Sequence, residues 1–167
     1  MLKRAKRTLQ RALLLEGMEA ETRAEGQLAL AQADLRLSEV ETAQQRALQT
    51  LEEAKLYELT WLVARTQRIL GSIFVVQGQR EQAGLHFKQA LYTFRRSGMR
   101  LQYARILHYY GLMLLQQDGV DEEAYREQER GLNSLHEAHQ VFTDCKAALD
   151  VQVVERVLAR REQVAEK

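Results

Sequence analysis

Apolar residues recur at intervals of three and four along almost the whole chain, which is the spacing of one face of an α-helix. Leu70, Ile73 and Phe74 form one such run. Gly78 and Gly98 each follow a run, as expected for glycine at the end of a helix. The pattern predicts eight helices: Leu2–Met18, Glu21–Leu37, Glu39–Tyr57, Leu59–Gln77, Arg80–Arg95, Arg100–Gln117, Glu122–Thr143 and Ala147–Gln163.

Composition favours the same all-α fold class. The 167 residues include no proline, and the strong helix formers Ala, Leu, Glu, Gln and Arg dominate. A formal net charge of +1 gives no overall attraction to nucleic acid or to membranes. No apolar stretch approaches the length of a membrane span, and the single cysteine, Cys145, cannot form an internal disulfide. We therefore expect a cytoplasmic protein.

A short helical phrase is repeated along the chain, and repetition at this distance is typical of helical repeat arrays. The phrase places a small residue, then a large apolar residue, then alanine at fixed offsets: Ala5-Leu9-Ala12, Ala47-Leu51-Ala54, Ala83-Phe87-Ala90 and Gly131-Leu135-Ala138.

A second register, with a spacing of 40 residues, relates Ala64-Arg65 to Ala104-Arg105. The phrase itself shifts by only 36 residues between Ala47 and Ala83, which predicts loops of unequal length. The third repeat is longer than the second, and its additional residues fall near Asp118–Gln128.

The run Leu70-Gly71-x-x-Phe74, followed by Ala83, Phe87 and Ala90, resembles the tetratricopeptide repeat (TPR). Tyr110-Gly111-x-x-Leu114 is a looser copy. The spacing near 40 residues is similar to the long repeats in bacterial multidomain signalling and regulatory proteins. The resemblance implies a right-handed TPR-like helical solenoid of about three helix pairs with flanking helices. It divides one domain, 1–167, into an N-terminal basic helix (1–19), repeats 20–58, 59–97 and 98–145, and a C-terminal capping helix (146–167).

The resemblance also implies a binding surface, because the first helices of TPR pairs line a concave groove. The family's groove positions correspond here to Arg65, Arg68, Ser72, Arg105, His108, Tyr109 and Leu112. Three arginines on one surface can hold a carboxylate or an acidic peptide through forked hydrogen bonds. The alternative is that these arginines are solvated or paired with nearby glutamates. The expected function is binding of a protein or peptide; a small-ligand sensor and a self-assembling scaffold are the alternatives.

The sequence offers no constellation typical of an enzyme or of a cofactor site. His136 and His139 lie three residues apart, but no second ligand pair has metal-binding spacing, so we expect surface histidines. Cys145 has no adjacent base and is expected in the core or at its boundary. Asp121 and its acidic neighbours lack calcium-loop spacing and are expected to favour the start of a helix. We predict no catalysis, no metal and no cofactor.

The N-terminal helix is basic and amphipathic, with Lys3, Arg4, Lys6, Arg7 and Arg11 beside leucines. Such a helix can bind anionic membranes or nucleic acid. Because it also carries the repeat phrase, we expect it instead to pack as the second helix of an incomplete pair, with neither nucleic acid nor membrane as partner. An incomplete pair leaves an apolar face without cover, so self-association through this helix is a further expectation.

Overall fold

A computed structural model of the chain describes residues 1–116, 119 and 121–165, with side chains as far as residue 161. All regular secondary structure in this described part is helical, which confirms the all-α prediction. The helices are α1 (Leu2–Ala12), α2 (Ala20–Arg36), α3 (Val40–Leu56), α4 (Thr60–Val76), α5 (Arg80–Arg96), α6 (Arg100–Leu115), α7 (Glu122–Asp144) and α8 (Ala148–Ala165).

The first helix is shorter than its apolar pattern predicts. It ends at Ala12 rather than Met18, although the leucines that follow continue the helical spacing. The chain turns here, and Gly17 adopts a φ of 78°, a left-handed conformation that glycine accepts without strain. The other predicted boundaries that can be compared lie within a few residues of the observed ones; Gln117 and Asp118 lie outside the described residues.

Helices α2 to α5 follow a strict period. Each has 17 residues, and their starting residues are 20 apart, so every intervening turn has the same length. The prediction of unequal loops was therefore wrong. Ala47 corresponds to Phe87 in the 40-residue period, not to Ala83, whose true equivalent is Ala43. The phrase misled because alanine occupies several core positions of α3, so the same letters recur one helical turn out of register.

Five helices end in the same way. The residues Ser38, Glu58, Gly78, Gly98 and Lys146 adopt left-handed backbone angles, with φ between 56° and 72°. In each case this residue's amide donates to the carbonyl three residues earlier, and the next amide donates to the carbonyl five residues before it, at 2.8 to 3.4 Å. These are Schellman motifs, which satisfy the last carbonyls of a helix. The glycine signals were thus correct, but three turns form without glycine.

The described chain divides into two compact units, Met1–Thr93 and Phe94–Lys167, and α5 crosses the division. In the first unit α2 packs against α3 and α4, and α3 also packs against α4. A Cβ on Gly71 would lie 2.8 Å from the ring of Phe87, so this glycine makes room for the ring. The core consists of Ala24, Leu28, Ala31, Ala43, Ala47, Leu51, Ala54, Leu62, Ile69, Leu70 and Ile73.

The second unit is organised around α7, which packs against both α6 and α8. The backbones of α6 and α7 touch at two glycines, since a Cβ on Gly111 would lie 2.8 Å from the carbonyl oxygen of Gly131. Helix α7 has 23 residues and thus takes up part of the predicted insertion. Asp121 accepts a 2.8 Å hydrogen bond from the Ala124 amide, which confirms the predicted helix-capping role of this acidic segment.

Candidate functional site

The seven predicted groove residues fall in different units and are considered separately. All seven are partly buried. The first unit holds those on α4, namely Arg65, Arg68 and Ser72. The second unit holds those on α6, namely Arg105, His108, Tyr109 and Leu112.

In the first unit Arg65 is held by its neighbours. Its guanidinium forms a 2.9 Å ion pair with Glu25 of α2 and lies 5.4 Å from the centre of the Trp61 ring. The Ser72 hydroxyl donates a 3.3 Å hydrogen bond to the Arg68 carbonyl in the same helix. Arg65 thus follows the alternative expectation, pairing with a glutamate. Its side chain is still 37% exposed, so a stronger acidic ligand could compete for it.

In the second unit Arg105 forms an equivalent pair with a different helix. Its guanidinium lies 3.1 Å from Asp150 of α8, and its side chain is 41% exposed. Further along the same two helices, Arg161 of α8 donates a hydrogen bond to the Leu115 carbonyl of α6. These two contacts occur in the same order along both helices, so α6 and α8 run in the same direction. Arg161 was expected to point outward, but it is half-buried in this contact.

His108 lies one turn beyond Arg105 on α6. Its Nε2 atom is buried and has no hydrogen-bond partner among the residues that the structure describes. Burial lowers the pKa of its imidazole below the ordinary value of 6.5, and the nearby Asp150 carboxylate only partly opposes this shift. The side chain is therefore neutral at pH 7. The Tyr109 ring lies 5.4 Å away at a tilt of 37°.

Leu112, one turn beyond His108, lines an open pocket of about 280 Å³ between α6 and α8. Apolar and cationic side chains share this pocket, which is lined by Leu112, Leu115, Gln116, Val157, Arg160 and Arg161. Arg105, His108 and the pocket follow one another along one face of α6. We call the surface formed by Arg105, His108, Asp150 and this pocket the α6–α8 groove.

A buried polar cluster in the first unit was not predicted. Asp34 of α2 has no solvent exposure, and its carboxylate pairs with Arg46 of α3 at 3.0 Å and with Lys6 of α1 at 2.8 Å. Arg46 also donates a 2.9 Å hydrogen bond to Gln27. One sequence signal was present: in the 40-residue period Asp34 occupies the position of Phe74, where an apolar residue is expected.

The other candidate chemical groups lie at the surface. His136 is exposed, and His139 pairs with Glu155 at 3.2 Å. Cys145 caps α7 and is exposed, so the expectation of a core or boundary residue was wrong; it lies beyond Phe142, the last buried residue of that helix. Across residues 1–116, 119 and 121–165, no group of three His, Cys, Asp or Glu residues is arranged to hold a metal ion.

The fold defines an all-helical chain with an internal 40-residue period. It is similar to the crystal structure of BtubC (BKLC) from P. vanneervenii, with a TM-score of 0.65 and 19% sequence identity. The similarity covers 99% of this chain and 73% of that chain. At this identity the likeness concerns the fold alone. No protein family and no curated protein matches the sequence. Within the described part of the chain, no helix is both long and apolar enough to cross a membrane.

Proposed function

We propose that this chain is a TPR-like, right-handed helical array that binds a protein or peptide and performs no catalysis. The 40-residue period of helix pairs and the close approach of Phe87 to Gly71 support the TPR-like arrangement. We place the array in a cytoplasmic signalling or regulatory system, as the long-repeat resemblance suggests. Rigid paired helices hold a binding surface in place before the partner arrives, which reduces the ordering cost of binding.

The observation that carries this proposal is the α6–α8 groove. Its pocket combines the aliphatic side chains of Leu112 and Val157 with two arginines, of which Arg160 is exposed. A pocket that combines apolar walls with a few polar groups fits one side chain of a ligand better than a flat surface does. The groove therefore suits a peptide that presents an aliphatic residue beside a carboxylate.

The atoms next to the pocket support the same choice of partner. The unpartnered Nε2 of the neutral His108 can accept or donate one hydrogen bond to an arriving polar group. Arg105 is exposed enough to exchange Asp150 for a carboxylate of the partner. Such an exchange retains one ion pair while it adds the apolar contact in the pocket.

Peptide selection against the immobilised protein tests this function, followed by affinity measurement on the best binders. We expect selected peptides to be rich in acidic and aliphatic residues. The Arg160→Glu and Leu112→Ser variants should each weaken binding by about tenfold, which corresponds to about 1.4 kcal/mol. Arg126→Glu is the matched control, because Arg126 is an exposed arginine on α7, outside the groove.

The outcomes separate the alternatives. Equal affinity of the groove variants and the control would discard the α6–α8 groove. If Arg65→Glu alone weakened binding, the binding surface would lie on the first unit. If no peptide were selected at all, the peptide-binding function would be wrong.

A further inference from the structure

Helix α1 is attached to the first unit by charge more than by apolar packing. Within α1, which the structure describes in full, no residue is buried. The Lys6 ammonium contacts the carboxylates of Asp34 and Glu39, and hydrogen bonding to Asp34 raises the pKa of Lys6 above its usual value. Beyond the helix, Leu13 packs against Gly26. The expected packing of α1 through an apolar face is therefore replaced by one ionic contact and one leucine.

The site that receives Lys6 keeps a cation when the lysine leaves. Arg46 approaches Asp34 from α3 and is held in place by Gln27, so the buried carboxylate remains paired without α1. Breaking a buried ion pair is costly mainly when a buried charge is left alone. Release of Lys6 avoids that penalty, because its ammonium returns to water and Arg46 stays on Asp34.

The segment that follows α1 exposes apolar side chains. Leu14 is 81% exposed and Leu15 is 64% exposed, and both precede the left-handed Gly17. Two adjacent leucines in water beside a weakly attached helix are unfavourable unless a partner covers them. A glycine in this segment also allows the chain to change direction.

We propose that α1 is exchanged between two copies of this chain, so that Lys6 of one copy binds Asp34 and Glu39 of the other. Exchange of an identical element requires no new ionic contact, since each copy supplies the same ammonium and the same acceptor site. The two segments that contain Leu14 and Leu15 then run beside each other, and their leucines cover one another. This burial distinguishes the exchanged dimer from the closed monomer and favours it as concentration rises.

Zero-length carbodiimide coupling tests the exchange in the unaltered chain, because Lys6 touches the partly exposed Glu39. Unlabelled and ¹⁵N-labelled protein are unfolded, mixed in equal amounts, refolded together and coupled. Mass spectrometry then reads the isotopes of the Lys6–Glu39 peptide pair. In a fully exchanged dimer about half of these adducts join a light chain to a heavy chain. Adducts confined to light–light and heavy–heavy pairs, or no adduct at this contact, would overturn the proposal.

Two matched substitution pairs check the physical causes by light scattering over a concentration series. Lys6→Met should shift the dimer to monomer, whereas Arg7→Met, an equal loss of charge at the next residue, should not. Leu14→Ser/Leu15→Ser should weaken the dimer by at least tenfold. Leu149→Ser, at a leucine that is 79% exposed on α8, should leave it unchanged. A monomeric parent chain, or equal effects within either pair, would contradict exchange.

Discussion

The α2–α3 and α4–α5 pairs have the same helix lengths and turns but use opposite chemistry at equivalent positions. In the first pair Asp34 and Arg46 form an ion pair. At the positions 40 residues later, Phe74 and His86 stack with ring centres 5.1 Å apart and an interplanar angle of 15°. The glutamines are also equivalent.

Gln27 and Gln67 use their side-chain oxygens in the same way, since Gln27 accepts from Arg46 and Gln67 contacts Nδ1 of His86. The comparison shows that the backbone period does not require an apolar contact at this point. It requires that the two facing side chains match each other and that the glutamine has a donor. A buried carboxylate is accepted because its partner changed with it.

The largest expected effect is on the aromatic pair, where Phe87 fills the space above Gly71. Its equivalent in the first pair, Ala47, has no comparable volume. Phe87→Ala should lower the free energy of unfolding by about 3–5 kcal/mol, through lost burial and a cavity. Urea unfolding measures this change. Leu85→Ala is the control, because Leu85 of the same helix is 55% exposed and should change stability little. Equal effects would mean that α5 is not packed on α4 as described.

The ionic pair should be next in size. Asp34→Asn removes the charge that pairs with Arg46 and Lys6, and should cost about 2–3 kcal/mol. The double variant Asp34→Phe/Arg46→His introduces the chemistry of the other pair and should recover most of this loss. A double-mutant cycle in urea gives the coupling between the two positions. Additive losses would show that matched partners do not explain the comparison.

A pH dependence should distinguish the pairs further. Burial lowers the pKa of His86 below its ordinary value of 6.5, while Arg46 stays charged throughout this range. The unfolded chain therefore binds a proton more readily than the folded chain. The stability contributed by neutral His86 is complete above pH 6.5 and is lost as the pH falls below that value.

Thermal unfolding between pH 7.5 and pH 5 measures this loss. His86→Gln should reduce the pH dependence but not abolish it, since burial also lowers the pKa of His108. The exposed His136 serves as control, and His136→Gln should leave the profile unchanged. A profile identical in all three proteins would contradict the effect of burial on His86.

The smallest expected effect concerns the turns. Glu58 ends α3 with φ 56°, whereas Gly98 ends α5 with φ 67° in the same hydrogen-bonded motif. A residue with a side chain is strained in this conformation. Glu58→Gly should stabilise the chain by about 0.5–1 kcal/mol, and Gly98→Ala should destabilise it by a similar amount. Chemical denaturation checks both, and a loss of stability in Glu58→Gly would show that its side chain makes a compensating contact.

Local patterns were enough to predict the helices. The three- and four-residue spacing of leucines and the two glycines placed most of the ends, because these signals act within a few residues. The end of α1 was not predictable in this way, since Leu14 and Leu15 continue an apolar pattern that the chain does not bury. The repeat register failed for a different reason: the phrase contains too few kinds of residue to exclude a shift by one helical turn.

The candidate site shows the same limit. Sequence reasoning placed Arg65 and Arg105 at equivalent positions, and both are partly exposed on α4 and α6. It did not identify their acidic partners, Glu25 and Asp150, which lie 40 and 45 residues away along the chain. It also missed Asp34, because a carboxylate in a helix is usually solvated. Only the comparison with Phe74 at the equivalent position marks Asp34 as unusual.

The identical turns have a consequence for engineering. Because the turns after α2, α3, α4 and α5 are equally long and have the same hydrogen bonds, the segment 40–79 begins and ends at equivalent points of the backbone. A duplicate of this 40-residue cassette can be spliced in after residue 79 with both junctions in native turn geometry. The array is thus extendable by whole cassettes, and its interior side chains can be chosen separately for each one.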